Sequence, residues 1–177
     1  MNYFTIPEIC IATENDIPNI TQLLNSAYRG EASKQGWTTE ANLIAGDVRT
    51  DDDNLRDIIR KPGSVILKYT NDKNQLIGCV NLQMHEDRLY LGMFSVSPQE
   101  QGSGIGKKML VAAEQYALNE EAKSIYMLVI SVREELIGWY LRHGYKDTGE
   151  RKPFTEDGLT GKHLQPLEFM VLEKFVS

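Results

Sequence analysis

The sequence predicts an α/β domain in which a mixed, mostly antiparallel central sheet of about seven strands is flanked by helices. Three observations carry this. Apolar patterns of strand and helix period follow one another in the order β-α-α-α-β-β-β-α-β-α-β-β, with turn composition between successive strands. A glycine-rich turn, Gln101-Gly-Ser-Gly-Ile-Gly106, leads from one of these strands into an amphipathic helix. The 177 residues, 41% of them hydrophobic, suffice for one compact domain spanning 1–177 and fall short of two.

Taken in order, Ile9-Cys-Ile-Ala12 reads as a short first strand. Asp16 opens a helix that tolerates Pro18 in its first turn, and Ile17, Ile20, Leu23, Leu24 and Ala27 form its apolar stripe. Gly30 ends it, and the polar stretch 31–37 reads as a loop. Helical patterns follow over 39–48 and 52–60, the second stopped by Pro62-Gly63. Residues 64–69 and 76–84 make a hairpin across the turn composition Asn71-Asp-Lys-Asn74. A strand over 88–96 ends before Pro98. After the glycine turn a helix runs to about Asn119, with Ile105, Met109, Leu110, Ala113 and Tyr116 on one face. Residues 124–130 are a strand, 134–143 a helix, and 145–150 and 167–172 the closing strands.

Charge and composition narrow the function. A net charge of −6 argues against a nucleic-acid partner, because neutralising phosphates needs a basic face. No run is long and apolar enough to span a bilayer, and Met1-Asn-Tyr-Phe-Thr-Ile-Pro7 lacks the basic start and apolar stretch of a secretory signal. A cytoplasmic protein without membrane partners is expected. Cys10 and Cys79 both fall in apolar, strand-like segments and read as buried small hydrophobes rather than a disulfide or metal pair. His85, His143 and His163 are far apart in sequence, so no metal site is expected.

A glycine-rich turn from strand into helix aims several backbone N–H groups at one point, where the helix dipole adds partial positive charge. Such a turn suits a phosphate or pyrophosphate, and Lys107 and Lys108 add cationic charge beside it. Two phosphate-binding patterns fail on spacing. The nucleotide P-loop needs four residues between its first glycine and Gly-Lys, then Ser or Thr; here three residues separate Gly102 from Gly106, and Lys108 follows Lys107. The dinucleotide fingerprint needs Gly-x-Gly-x-x-Gly in a βαβ unit, whereas Gly102-Ser-Gly104-Ile-Gly106 has the wrong third spacing after antiparallel strands.

The segment Val96-Ser-Pro98-Gln-Glu-Gln101-Gly-Ser-Gly104-Ile-Gly106-Lys-Lys-Met-Leu110 resembles the acetyl-CoA-binding motif of the GNAT superfamily of N-acetyltransferases, with Gln101, Gly104 and Gly106 at its fixed positions. The likeness extends over nearly the whole element order and implies a GNAT-like fold with acetyl-CoA as donor substrate. It implies that Phe94, Ser95 and Val96 offer backbone groups to the pantetheine arm. It likewise gives Gln101, Gly102, Ser103, Gly104, Ile105, Gly106 and Lys107 the pyrophosphate. A second segment, Tyr140-Leu-Arg-His-Gly144-Tyr145, resembles the end of the family's penultimate helix, which implies Tyr140 as the acid that protonates the departing thiolate. Its alternative role is to pack that helix on the sheet. Two departures stand out. Arg133 occupies a position where many members carry Asn, and residues 89–96 contain no carboxylate to act as general base.

By the same resemblance the acceptor site is lined by 28–38 and by the chain from Gly149 through Phe154 onward. Tyr28, Glu31 and Trp37 suit an ammonium held by cation–π and ion pairing, whereas Arg29, Arg151 or Lys152 suit a carboxylate. The expected activity is direct transfer of acetyl from acetyl-CoA to a primary amine of a small-molecule, amino-acid-like or peptide acceptor. The alternatives are a non-catalytic acetyl-CoA-binding regulatory domain and an acetyltransferase of protein N-termini or lysines. Homodimers are common in the family, although no exposed apolar stripe in this sequence demands one.

Overall fold

A computed structural model describes residues 4–176; residues 1–3, where the N-terminal stretch read above begins, and residue 177 lie outside the described residues. Strands β1 (Ile9–Ile11), β2 (Ser64–Thr70), β3 (Leu76–His85), β4 (Arg88–Val96), β5 (Ser124–Ile130), β6 (Lys146–Pro153) and β7 (Glu168–Phe175) form one sheet in the order β1-β2-β3-β4-β5-β7-β6. Every neighbouring pair is antiparallel except β4 with β5. The helices are α1 (Ile17–Tyr28), α2 (Gly30–Ser33), α3 (Asp52–Arg60), α4 (Ile105–Asn119) and α5 (Glu134–Arg142).

The period-two alternation of the strands divides the core between the two faces of the sheet. Ile66 and Cys79 meet Ile17, Ile20 and Leu24 of α1 and Leu55 of α3. Their neighbours Leu67, Val80 and Leu82 meet Met109, Leu110 and Ala113 of α4. The helix starts have local causes. Pro18 sits in the first turn of α1, and the Asp51 carboxylate accepts the Asn54 N–H at 2.8 Å to cap α3.

Four sequence expectations are corrected. The helical pattern over 39–48 does not form a helix. Leu43 and Ile44 N–H both turn back to Glu40 O, but the following backbone pairs with a distant loop, Ala45 N–H with Lys162 O and Leu164 N–H with Leu43 O. Those long-range bonds, with Gly46 at φ +93°, outcompete a second helical turn. The expected loop 31–37 begins with the single turn of α2. Cys10 is exposed, because β1 is an edge strand that buries only Ile9. The last two strands also run further than the apolar pattern indicated, since β6 is exposed along its whole length and carries no alternation to mark its end.

One irregularity shapes the rest. β4 pairs with β5 only through Arg88, Leu89 and Tyr90, and beyond Tyr90 the two strands part. At the same place the β3–β4 register shifts, and Met93 adopts φ +53°. For a side chain with a Cβ this left-handed conformation costs on the order of 1–2 kcal/mol. The bulge turns the second half of β4 out of the ladder and leaves a V-shaped opening in the middle of the sheet.

Candidate active site

Two hollows meet at this opening. The first is a cleft of about 480 Å³ between the end of β4, the glycine turn and α5. Its walls include Phe94, Ser95, Val96, Gln101, Gly102, Gly104, Ile105, Gly106 and Lys107, nine of the ten positions expected to hold the donor. Ser103 does not line it; its hydroxyl turns back to Glu100 O. Gly104, at φ +85°, is the residue from which α4 springs, and the first helical bond of this turn runs from Lys108 N–H to Gly104 O at 3.2 Å. The amides just before Lys108 therefore have no carbonyl of their own helix, the arrangement that suits an anion. Ser95 Oγ is buried and has no partner among the described residues.

Gln101 ties this turn to two other elements. Its side-chain amide donates to Val96 O at 3.0 Å, and its Oε1 accepts the Trp37 N–H at 2.9 Å. A Cβ on Gly36 would overlap that Oε1, so a larger residue there displaces the Gln101 amide from Trp37. Trp37, which the sequence offered for the acceptor, thereby lines this cleft, with its ring 6.4 Å from that of Trp139.

The second hollow, about 200 Å³, fills the gap between the parted strands. Tyr90 to Phe94 of β4 and Met127 to Ile130 of β5 form its sides. Arg49, Phe154, Asp157, Thr160 and Phe169 come from loops and β7. Five residues belong to both hollows: Tyr28, Phe94, Arg133, Leu136 and Tyr140. Tyr140 is 4% exposed, and its ring packs edge-on against Phe94 and Trp139. Burial, reinforced by the nearby Tyr28, pushes its phenol well above the ordinary tyrosine range, so the hydroxyl keeps its proton at any working pH. Tyr28 donates its hydroxyl to Phe94 O at 2.7 Å and is likewise raised by burial.

The polar wall is a buried ionic cluster. Glu40 sits between two arginines, with Arg29 Nη2 at 2.9 Å from Oε1 and Arg133 Nη1 at 2.9 Å from Oε2. Arg29 also donates to Val48 O and Thr160 O, and Arg133 to Thr38 Oγ1 at 2.7 Å. Arg133, which stands where many family members carry Asn, gives Nη1 to Glu40 and Nη2 to Thr38. Arg29, offered for a carboxylate, directs Nε, Nη1 and Nη2 to groups within the protein. Glu31 is paired with Lys34 in solvent and lines neither hollow, and Arg151 and Lys152 pair with Asp147 and Glu150 on the exposed β6. Glu40, Thr38, Trp139 and Arg49 were not singled out from the sequence. A local pattern gives no signal for them, because their partners lie far along the chain.

Comparison with known proteins places this geometry. A model of the acetyltransferase (GNAT) family matches residues 18–145. The chain belongs to the GNAT family. Among solved structures, a ribosomal-protein-alanine N-acetyltransferase from Brucella melitensis is similar at 17% identity, with a TM-score of 0.70, over 95% of this chain and 99% of that one. Nourseothricin acetyltransferase aligns with a TM-score of 0.68 and 18% identity, over 96% of this chain and 98% of its own. A spermidine N-acetyltransferase chimera from Vibrio cholerae and hSSAT aligns with a TM-score of 0.68 and 14% identity, over 94% and 93%. No curated protein sequence matches. At these identities the neighbours share the fold. As a GNAT acyltransferase, the chain carries the seven-stranded mixed sheet its sequence predicted. No helix among the described residues is long and apolar enough to cross a membrane, and no three of their His, Cys, Asp or Glu side chains cluster as a metal site.

Proposed function

We propose that this GNAT enzyme transfers the acetyl group of acetyl-CoA to a primary amine by direct attack, with no acyl-enzyme intermediate. The observation that carries the reading is the shared wall: Tyr140 borders the glycine-turn cleft and the adjoining hollow at once. A donor lying along β4 with its pyrophosphate at Gln101–Gly106 brings its thioester to that wall, and an amine in the second hollow faces the carbonyl carbon.

The chemistry balances within these groups. The neutral amine forms the new C–N bond, the C–S bond breaks, one proton leaves nitrogen and one arrives at sulfur. Backbone N–H groups freed where β4 leaves the ladder polarise the thioester oxygen. The Tyr140 hydroxyl, held protonated by burial, donates toward the thiolate as charge develops there. Phe94, Leu136 and Tyr140 keep water from the thioester, and positioning supplies most of the remaining acceleration.

Among the described residues, two carboxylates line the second hollow, and both already accept hydrogen bonds. Glu40 is locked between arginines, and Asp157 Oδ1 accepts from Leu159 N–H, Thr160 N–H and Thr160 Oγ1. The amine therefore reacts as its neutral fraction and gives its proton up through solvent or the Tyr140 hydroxyl. The test is free-thiol release from acetyl-CoA across small amines, amino acids and peptides. Silence across the whole panel, with acetyl-CoA still stabilising the fold, would instead identify a donor-binding regulatory domain.

A further inference from the structure

The charges around the second hollow do not cancel. Arg29 and Arg133 share the single carboxylate of Glu40, which leaves one positive charge in a cluster whose three side chains are each less than 10% exposed. Arg133 Nε is buried and without a partner among the described residues, and Arg133 lines the hollow. Arg49 lines it too and is in no ion pair among the described residues. Its guanidinium lies 5.2 Å from the Tyr28 ring centroid, and its charge opposes the burial that raises the phenols of Tyr28 and Tyr90. Asp157 supplies the second carboxylate of the lining, with Oδ1 accepting three bonds from its own turn, so three arginines face two carboxylates. A half-buried cation without a counter-ion, lining the same hollow as a buried donor without an acceptor, is costly. A planar anion reaching both groups offsets that cost, and carboxylates fit guanidinium N–H pairs in this way.

We infer that the acceptor is a small primary amine that also bears a carboxylate, and that Arg49 and the Nε–H of Arg133 hold it. The inference rests on the second hollow being the acceptor site. Its volume, about 200 Å³, lies below the roughly 300–1,000 Å³ of sites that enclose drug-sized ligands, which matches a molecule of amino-acid size. The aromatic side of the hollow, where Phe154 stacks on Phe169 with ring centroids 4.3 Å apart, takes an apolar side chain. A polyamine would place further positive charge against two arginines.

The experiment compares L-leucine, L-methionine and L-phenylalanine with their carboxamides, with spermidine and with phosphoethanolamine, by thiol release from acetyl-CoA. The amino acids are expected to exceed their amides in kcat/KM by at least about tenfold. Arg49→Ala is expected to collapse that ratio toward one, and Arg49→Lys to restore part of it, a change in preference that loss of packing alone would not produce. A second readout is independent of turnover: thermal stabilisation by each amino acid and its amide in the presence of CoA. If no amine releases thiol while the amino acids still stabilise wild type and not Arg49→Ala, the transferase reading falls and the carboxylate site stands. Equal response to acid and amide in both readouts, stronger turnover of spermidine or phosphoethanolamine, or an unchanged ratio in Arg49→Ala overturns the carboxylate site.

Discussion

The two hollows of this enzyme touch through five residues, yet they are built from different materials. The cleft proposed for the donor takes its phosphate end from main chain: a glycine turn, the first amides of α4 and the end of a strand that has left its ladder. The hollow proposed for the acceptor draws on side chains from distant segments, with Arg29 and Arg133 sharing Glu40 and Arg29 reaching Thr160 O. Main-chain sites are set by local conformation and hold a chemically constant group. Side-chain sites are set by tertiary packing and follow the particular ligand.

This contrast predicts which substitutions strike which half. The largest effect is expected from Gly104→Glu. At φ +85° any Cβ is strained, and the added carboxylate meets an anion site, so thermal stabilisation by acetyl-CoA should vanish while the apo fold loses only about 1–2 kcal/mol. An unchanged thermal shift would break the main-chain account of the donor half.

Glu40→Ala should act the other way. It leaves two buried arginines without their carboxylate and should cost about 3–5 kcal/mol in urea denaturation, with donor affinity altered far less. Tyr140→Phe removes the group shared by both halves. It should lower kcat about 100-fold with little change in the KM for acetyl-CoA and little loss of stability, measured by steady-state thiol release. In wild type, because burial raises Tyr140, no descending limb should appear in the pH–rate profile up to about pH 10, and kcat/KM should climb until the acceptor amine itself is neutral. A fall between pH 7 and 9 would assign the acid role to a group that titrates lower.

The smallest effect is expected from Gln101→Ala. It loses two hydrogen bonds of about 1 kcal/mol each and frees the Trp37 loop from the donor turn. The KM values for donor and acceptor should rise together, each by less than about tenfold.

The same contrast explains what could be read from the sequence. Gln101, Gly104, Gly106 and Tyr140 sit in short patterns whose spacing is itself the local geometry, so the positions expected for the donor, Ser103 excepted, fall along one cleft. The second hollow was legible only at Tyr28, Arg29 and Phe154. Residues 39–48 carry a helical pattern, but their backbone bonds go to the loop near Lys162, and that capture brings Glu40 and Arg49 to the hollow. No window of ten or fifteen residues contains the reason. Arg133 was noticed only as a departure; its meaning lies in Glu40, far upstream.

Gln101 has a consequence for the freedom of the sequence itself. Its Oε1 fills the space where a side chain at position 36 would begin, although residue 36 belongs to the loop on the other side of the cleft. A larger residue at 36 moves the Gln101 amide aside. The cost of such a change at 36 is therefore felt at position 101, as loss of the bridge to Trp37.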